Sequence, residues 1–126
     1  MSEEETAALH WAELAAGEIP YAEFDDHGYT VIASHYPTFC YNHQHVRKPD
    51  GEHRTYMLYG HVHNSPDELL VNQFQNITRQ TVVTNAQGLT GPIPCHMINC
   101  FCMFSDYKPL SLEQWIKVDE QRRAML

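Results

Sequence analysis

The chain has 126 residues, a length that suits one domain with a modest core and excludes two independent ones. Eight Lys plus Arg against sixteen Asp plus Glu leave a net charge of −8, so nucleic acid is not indicated and the expectation is that an anionic ligand is held through bound divalent metal. Four cysteines without a Cys-x-x-Cys pair, no signal peptide and no apolar run of bilayer length predict a reduced, cytoplasmic protein with no membrane association.

Ser2 followed by Glu5 forms a capping-box pattern, and TAALHWAELAAG is rich in helix formers up to Gly17. Residues 3–16 are therefore predicted to be helical, with the N-terminal helix and linker occupying residues 1–19. YAEFDD and YTVIAS have strand composition, and His27-Gly28 between them predicts a tight hairpin ending at Ser34. Residues 37–54, with two prolines and Gly51, predict a long irregular connection. TYMLYG is the next strand. Ser65 as cap, Pro66 at the first helical position and Asp67 and Glu68 in the first turn open a helix from about 67 to 80, with Leu70, Phe74 and Ile77 as its core-facing stripe.

TVVTNAQGLTGPIP reads as a turn-rich linker, and CHMINCFCMF as a buried strand in which Cys100 and Cys102 are small hydrophobes rather than thiolate ligands. Ser111 begins a terminal helix, SLEQWIKVDEQRRAML, with Arg122 and Arg123 near its C-terminal end, as the helix dipole prefers. Alternating helices and strands give an α/β layered architecture.

Nine histidines are unevenly placed. His10 in the first helix, His27 in the hairpin turn and His53 in the loop are most simply solvated or locally bonded rings. His35 differs because it follows YTVIAS directly, and His61 likewise follows TYMLYG. If the two strands are parallel in one sheet, both rings emerge at the edge where open α/β sheets bind ligands. His61 and His63, at i and i+2 of an extended segment, point to one side roughly 6–7 Å apart. Each then suits a different ion of a pair roughly 3.5–4 Å apart. Gly60 removes a Cβ where backbones approach. An isolated His-x-His is more often a polar strand end, and His43 and His45 repeat the spacing in a loop that no strand enters.

SHYP at 34–37 and LYGHVHN at 58–64 resemble, in order, the last two motifs of the calcineurin-like metallophosphoesterases. EFDDHGYTVIASHYP resembles that family's hairpin into a metal-binding histidine, and INCFCMFSDYKPLSLEQW its closing strand, turn and helix start. The resemblance spans about 21–116. It implies the C-terminal half of a layered α/β/β/α metallophosphoesterase sandwich, with a mixed β-sheet and flanking helices. It further implies that His35 and His61 ligate one metal of a two-metal centre and His63 the other. In that family two divalent ions, drawn from manganese, zinc, iron, nickel or magnesium, activate hydroxide for in-line attack on a phosphoester.

The family's Asp-x-His, Gly-Asp and Gly-Asn-His motifs have no equivalent here. Asp25-Asp26-His27 has the Asp-x-His letters but sits only eight residues before His35, and Asn42-His43 lacks the flanking Gly and acid and follows His35 instead of preceding it. The expectation is a single partial domain over 1–126 with no catalytic residue assigned and weak or absent hydrolysis alone. It would meet a separate N-terminal half or self-associate, because a missing half leaves a sheet edge and apolar faces uncovered. The alternative is a non-catalytic metal-binding or protein-interaction module derived from that fold. Arg47, Lys48, His43 and His45 are the loop groups that would meet a phosphate if the loop faces the site.

Overall fold

The computed structural model describes residues 21–125, so the helix expected over 3–16, its linker and His10 lie outside the described residues. Strands β1 (Tyr21–Asp26) and β2 (Tyr29–Ser34) form the expected antiparallel hairpin, with Tyr21 opposite Ser34 and Asp26 opposite Tyr29. His27 at φ 49° and Gly28 at φ 84° are both left-handed, as a two-residue turn between right-twisted strands requires. β3 (Thr55–Tyr59) runs parallel to β2, in register from Thr30–Thr55 to Ser34–Tyr59.

Helix α1 (Pro66–Gln80) follows. Ser65 occupies its N-cap in extended conformation, yet its side chain makes no capping hydrogen bond; the Glu68 amide donates to the Ser65 carbonyl instead, at 3.0 Å. Where a linker was expected, β4 (Val82–Thr84) and β5 (Thr90–Pro92) pair antiparallel. Asn85 closes that hairpin, its Oδ1 accepting from the amides of Gln87 and Leu89, both at 3.0 Å.

β6 (Met97–Asn99) runs parallel to β3 and is shorter than the apolar run suggested. The chain leaves the sheet at Asn99, whose Oδ1 accepts from the Phe101 amide at 3.0 Å, and enters a 3-10 turn over Cys102–Ser105. α2 (Leu112–Ala124) starts on a full capping box: Ser111 Oγ accepts from the Gln114 amide and Gln114 Oε1 from the Ser111 amide.

The main sheet has the order β1-β2-β3-β6 and is mixed, with a helix on each face. Alternation along the strands divides the core in two. Val31, Leu58 and Ile98 face α2 and pack with Leu112 and Trp115, whereas Ile32, Met57 and Met97 face α1 and pack with Val71. Cys95 and Cys100 are buried among these apolar groups, and Cys40 is exposed. Among the described residues no helix is long and apolar enough to cross a membrane.

A second expectation is overturned in part. Of the stripe Leu70, Phe74 and Ile77, only Phe74 meets the core, half-buried against the α1-side cluster and the Phe39 ring at 4.7 Å; Leu70 and Ile77 are 58% and 66% exposed. The buried face of α1 is Glu68, Val71, Gln75 and Thr78. Unpaired backbone explains the reversal. Met97 on the outer edge of β6 has a donor and an acceptor with no neighbouring strand, and Gln75 satisfies both: its Oε1 accepts from the Met97 amide at 2.9 Å and its Nε2 donates to the carbonyl at 3.2 Å. Arg123 Nη2 donates to the same carbonyl at 3.0 Å. This part of the edge, expected to be uncovered, is closed by side chains.

Glu68 anchors the other end of that face. Its nearly buried carboxylate accepts from Tyr59 Oη at 2.5 Å, Asn99 Nδ2 at 3.0 Å and Arg122 Nη2 at 3.1 Å, joining β3, β6, α1 and α2. Glu68→Leu leaves the buried Tyr59 hydroxyl without an acceptor and takes one of two acceptors from Asn99 Nδ2, which keeps the His63 carbonyl, and from Arg122 Nη2, which keeps Asp119. The expected loss is about 3 kcal/mol, read as a lower urea midpoint at unchanged m-value.

Candidate functional site

Because β2 and β3 are parallel and Ser34 pairs with Tyr59, the next residues of both strands leave the sheet side by side. The Gly60 amide donates to the His35 carbonyl at 3.0 Å, extending the pairing one step. The His35 and His61 rings consequently lie 5.3 Å apart at an interplanar angle of 65°, with the Tyr36 ring 4.9 Å from His35 and 4.6 Å from His61. His35 Nδ1 is buried and has no hydrogen-bond partner. A Cβ at position 60 would sit 3.5 Å from the His35 carbonyl, an ordinary contact, so what matters there is the backbone bond rather than the missing side chain.

The segment after Gly60 is not extended, contrary to the spacing argument. His61 has φ 65° and His63 φ 51°, and the Val62 amide turns back to the Gly60 carbonyl at 2.7 Å. Val62 is buried in the α1-side core, which draws the turn inward. His63 stacks on Phe101 at 4.7 Å and 18°, and its carbonyl accepts from Asn99 Nδ2 at 2.7 Å.

The structure thus brings His35 and His61 together and sets His63 against Phe101. Among the described residues no three His, Cys, Asp or Glu side chains are grouped to hold a metal ion. Two adjacent imidazoles, one with an unpartnered buried nitrogen, fit a two-nitrogen portion of a transition-metal site; a complete site needs further ligands.

The loop groups that would meet a phosphate if their loop faced this edge have other partners or surroundings. Arg47 donates to the carbonyls of Gly51 and Pro92, at 3.0 and 2.7 Å, and Lys48 Nζ lies 3.4 Å over the Tyr29 ring. His43 pairs with Glu23 at 3.2 Å, and His45 is exposed. Tyr29 begins β2, so Lys48 is at the opposite end of the parallel strands from His35.

That opposite end contains a pair the sequence did not signal. His53 stacks face to face on His96, with ring centroids 3.5 Å apart and planes 16° off parallel. His53 Nε2 is buried without a partner, so of the two expectations for this ring, solvated or locally bonded, the solvated one does not hold. Burial, then Lys48, Arg79 and Arg47, lower the His53 pKa to about 4; burial, then His53 and Arg79, lower that of His96 to about 3. The useful sequence signal was position: each histidine closely precedes a parallel strand, one at β3 and one at β6. Comparison of the chain with protein-family models, with curated proteins and with solved structures found no match.

Two outcomes are expected. His61→Gly places glycine at a left-handed position and is expected to leave thermal stability unchanged or raise it by up to about 1 kcal/mol while removing the imidazole. For the stacked pair, both folded pKa values lie below the unfolded value of about 6.5, so the unfolded state binds more protons in between. The pair's contribution is complete above about pH 6.5 and is lost as pH falls through the folded values. Urea midpoints measured between about pH 7 and about pH 4 are therefore expected to fall less steeply in a His53→Phe/His96→Phe double variant than in the parent.

Proposed function

We propose that this chain is the histidine-bearing C-terminal half of a calcineurin-like metallophosphoesterase sandwich, acting in metal-dependent hydrolysis of a phosphoester. The observation that carries the reading is the approach of the His35 and His61 rings to 5.3 Å at the ends of adjacent parallel strands. Each ring closes a strand that leads into a motif resembling the family's, SHYP or GHVH. The mixed sheet with helices on its faces supports half of a layered sandwich.

In this reading His35 and His61 hold one divalent ion through neutral imidazole nitrogens, with His35 Nδ1 unpartnered as a ligating or directing atom. His63 reaches a second ion only by leaving its stack on Phe101, a contact of roughly 0.5–1.5 kcal/mol. Bound manganese, zinc, iron, nickel or magnesium supplies positive charge for the phosphoryl oxygens. Carboxylate ligands come from outside these residues, on a complementary polypeptide or through association with another copy. The exposed Leu69, Leu70 and Ile77 on α1 support such association. The absence of a three-ligand group among the described residues supports a second reading, a metal-binding or interaction module without catalysis.

Titration of the protein with zinc or manganese, followed by the histidine ring resonances, tests the site. The expected result is one weak site that shifts or broadens His35 and His61 and disappears in His61→Ala; no change at these rings overturns the metal reading. With p-nitrophenyl phosphate and manganese the chain alone is expected to turn over far below the ordinary enzymatic range of about 1–1000 per second. Turnover within that range, abolished by His61→Ala, overturns the half-domain reading and assigns a complete enzyme.

A further inference from the structure

The N-terminal end of the parallel strands carries a second constellation, roughly 15 Å from the His35–His61 edge by the length of β3. A cavity of about 530 Å³ opens there between the sheet and α2, with Tyr56, Ile98 and Ile116 among its walls. A neighbouring cavity of about 310 Å³ lies against the β5 side, lined in part by Arg47 and Pro92. His53, Arg79 and His96 line both, so the stacked pair stands where the two meet. The larger volume is within the range of small-molecule sites, roughly 300–1000 Å³.

The polar groups at this junction are incompletely used. Arg79 donates from Nε to the Cys95 carbonyl at 2.6 Å and from Nη2 to Gln75 Oε1 at 3.0 Å, while Nη1 makes no hydrogen bond among the described residues. His53 Nε2 is buried and unpartnered. Of the chain's eight Lys and Arg residues, Arg47, Lys48 and Arg79 all act electrostatically on His53. Acids line the same cavities and act on Tyr56 in the wall. Asp119 is paired with Arg122 and Arg123, at 3.4 and 2.9 Å, and Glu52 and Glu120 are on the exposed rims. The larger cavity sets Arg79 and Arg123 against Asp119 and Glu120, and the smaller sets Arg47 and Arg79 against Glu52, so positive charge is in excess on the β5 side of the junction, where Arg79 Nη1 and His53 Nε2 have nothing to bind.

We propose that this junction is a second ligand site, for a small organic anion: a carboxylate or phosphate-type group accepts from Arg79 Nη1 and His53 Nε2, and an apolar body packs in the larger cavity against Tyr56, Ile98 and Ile116. A ligand that accepts from these nitrogens restores hydrogen bonds they lost on burial. Guanidinium suits either oxyanion. His53 donates from Nε2 as the neutral tautomer, and an adjacent anion favours the protonated ring, so binding raises the His53 pKa from its depressed value. The inference is independent of the phosphoesterase reading, since none of these residues belongs to the His35–His61 edge.

Benzoate and phenylphosphonate, titrated into the full chain in metal-free buffer, are the test probes, with inorganic phosphate as an anion lacking the body and benzamide as a body lacking the charge. Saturable shifts of the His53 and His96 ring resonances, with His35 and His61 unmoved, are expected for at least one of the first two. The stronger of them distinguishes carboxylate from phosphate chemistry. Phosphate and benzamide are expected to bind at least about tenfold more weakly, and Arg79→Gln and His53→Phe each to weaken the better probe about tenfold. His53→Phe keeps the ring stack while removing Nε2, and an unchanged backbone spectrum verifies folding. Should neither variant fold, the comparison of benzoate with benzamide on the parent protein decides. No saturable shift at His53 and His96, benzamide binding as well as benzoate, or full binding in both folded variants overturns the proposal.

Discussion

The end of the sheet that carries His35 and His61 is held by a carboxylate with almost no access to water. Glu68 must have its acceptor sites filled from inside the protein, and Tyr59, Asn99 and Arg122 fill them. Burial together with the Glu68 charge raises the Tyr59 pKa, which keeps its hydroxyl a donor. Asn99 transmits the constraint, because Nδ2 bonds both Glu68 and the His63 carbonyl while Oδ1 takes the Phe101 amide. The turn bearing His61 and His63 is therefore fixed by atoms below it in the sheet, not by contacts between the imidazoles.

This network also explains why some elements were legible in the sequence and others were not. The hairpin at His27-Gly28, the strand TYMLY and the capping box at Ser111 are set by neighbouring residues, and each was readable from a few letters. The parallel alignment that joins His35 to His61 was readable only as a condition, since strand direction depends on where the intervening chain crosses. Three-residue strands such as β4 and β5 are too short to display alternation, so their turn residues dominated and the hairpin looked like a linker. The orientation of α1 was misread for a different reason. Apolar periodicity identifies the buried face only when burial is driven by transfer of side chains from water, and here Gln75 and Glu68, satisfying polar groups of the sheet, share the buried face with Val71.

The left-handed residues of the GHVH turn belong to the same account. His61 and His63 adopt conformations unfavourable to any side chain, and a packed Val62 between them with an Asn99 bond beneath offsets that cost. An extended His-x-His would have needed neither. The local rule failed where surrounding structure over-determines the backbone, and the result is that His61 turns towards His35 while His63 meets Phe101. His53 and His96 were missed because forty-three positions separate them in the chain and only the alignment of β3 with β6 makes them neighbours.

The two edges of the sheet now differ in what they offer another molecule. At β6 the outward backbone of Met97 is taken by Gln75 and Arg123, so strand addition there would first have to displace three hydrogen bonds. At β1 the edge carries Glu23 and Asp25, and Glu23 already accepts from Asn42, which disfavours pairing with an uncharged strand. Apolar side chains are instead exposed on the outward face of α1, at Leu69, Leu70 and Ile77, because Glu68, Gln75 and Thr78 share the inward face with Val71. Orienting the helix by hydrogen bonds thus has a direct consequence: the same choice that holds the histidine turn in place moves hydrophobic surface outward. A complementary chain meeting this protein would gain most by burying side chains of α1 rather than by extending its sheet.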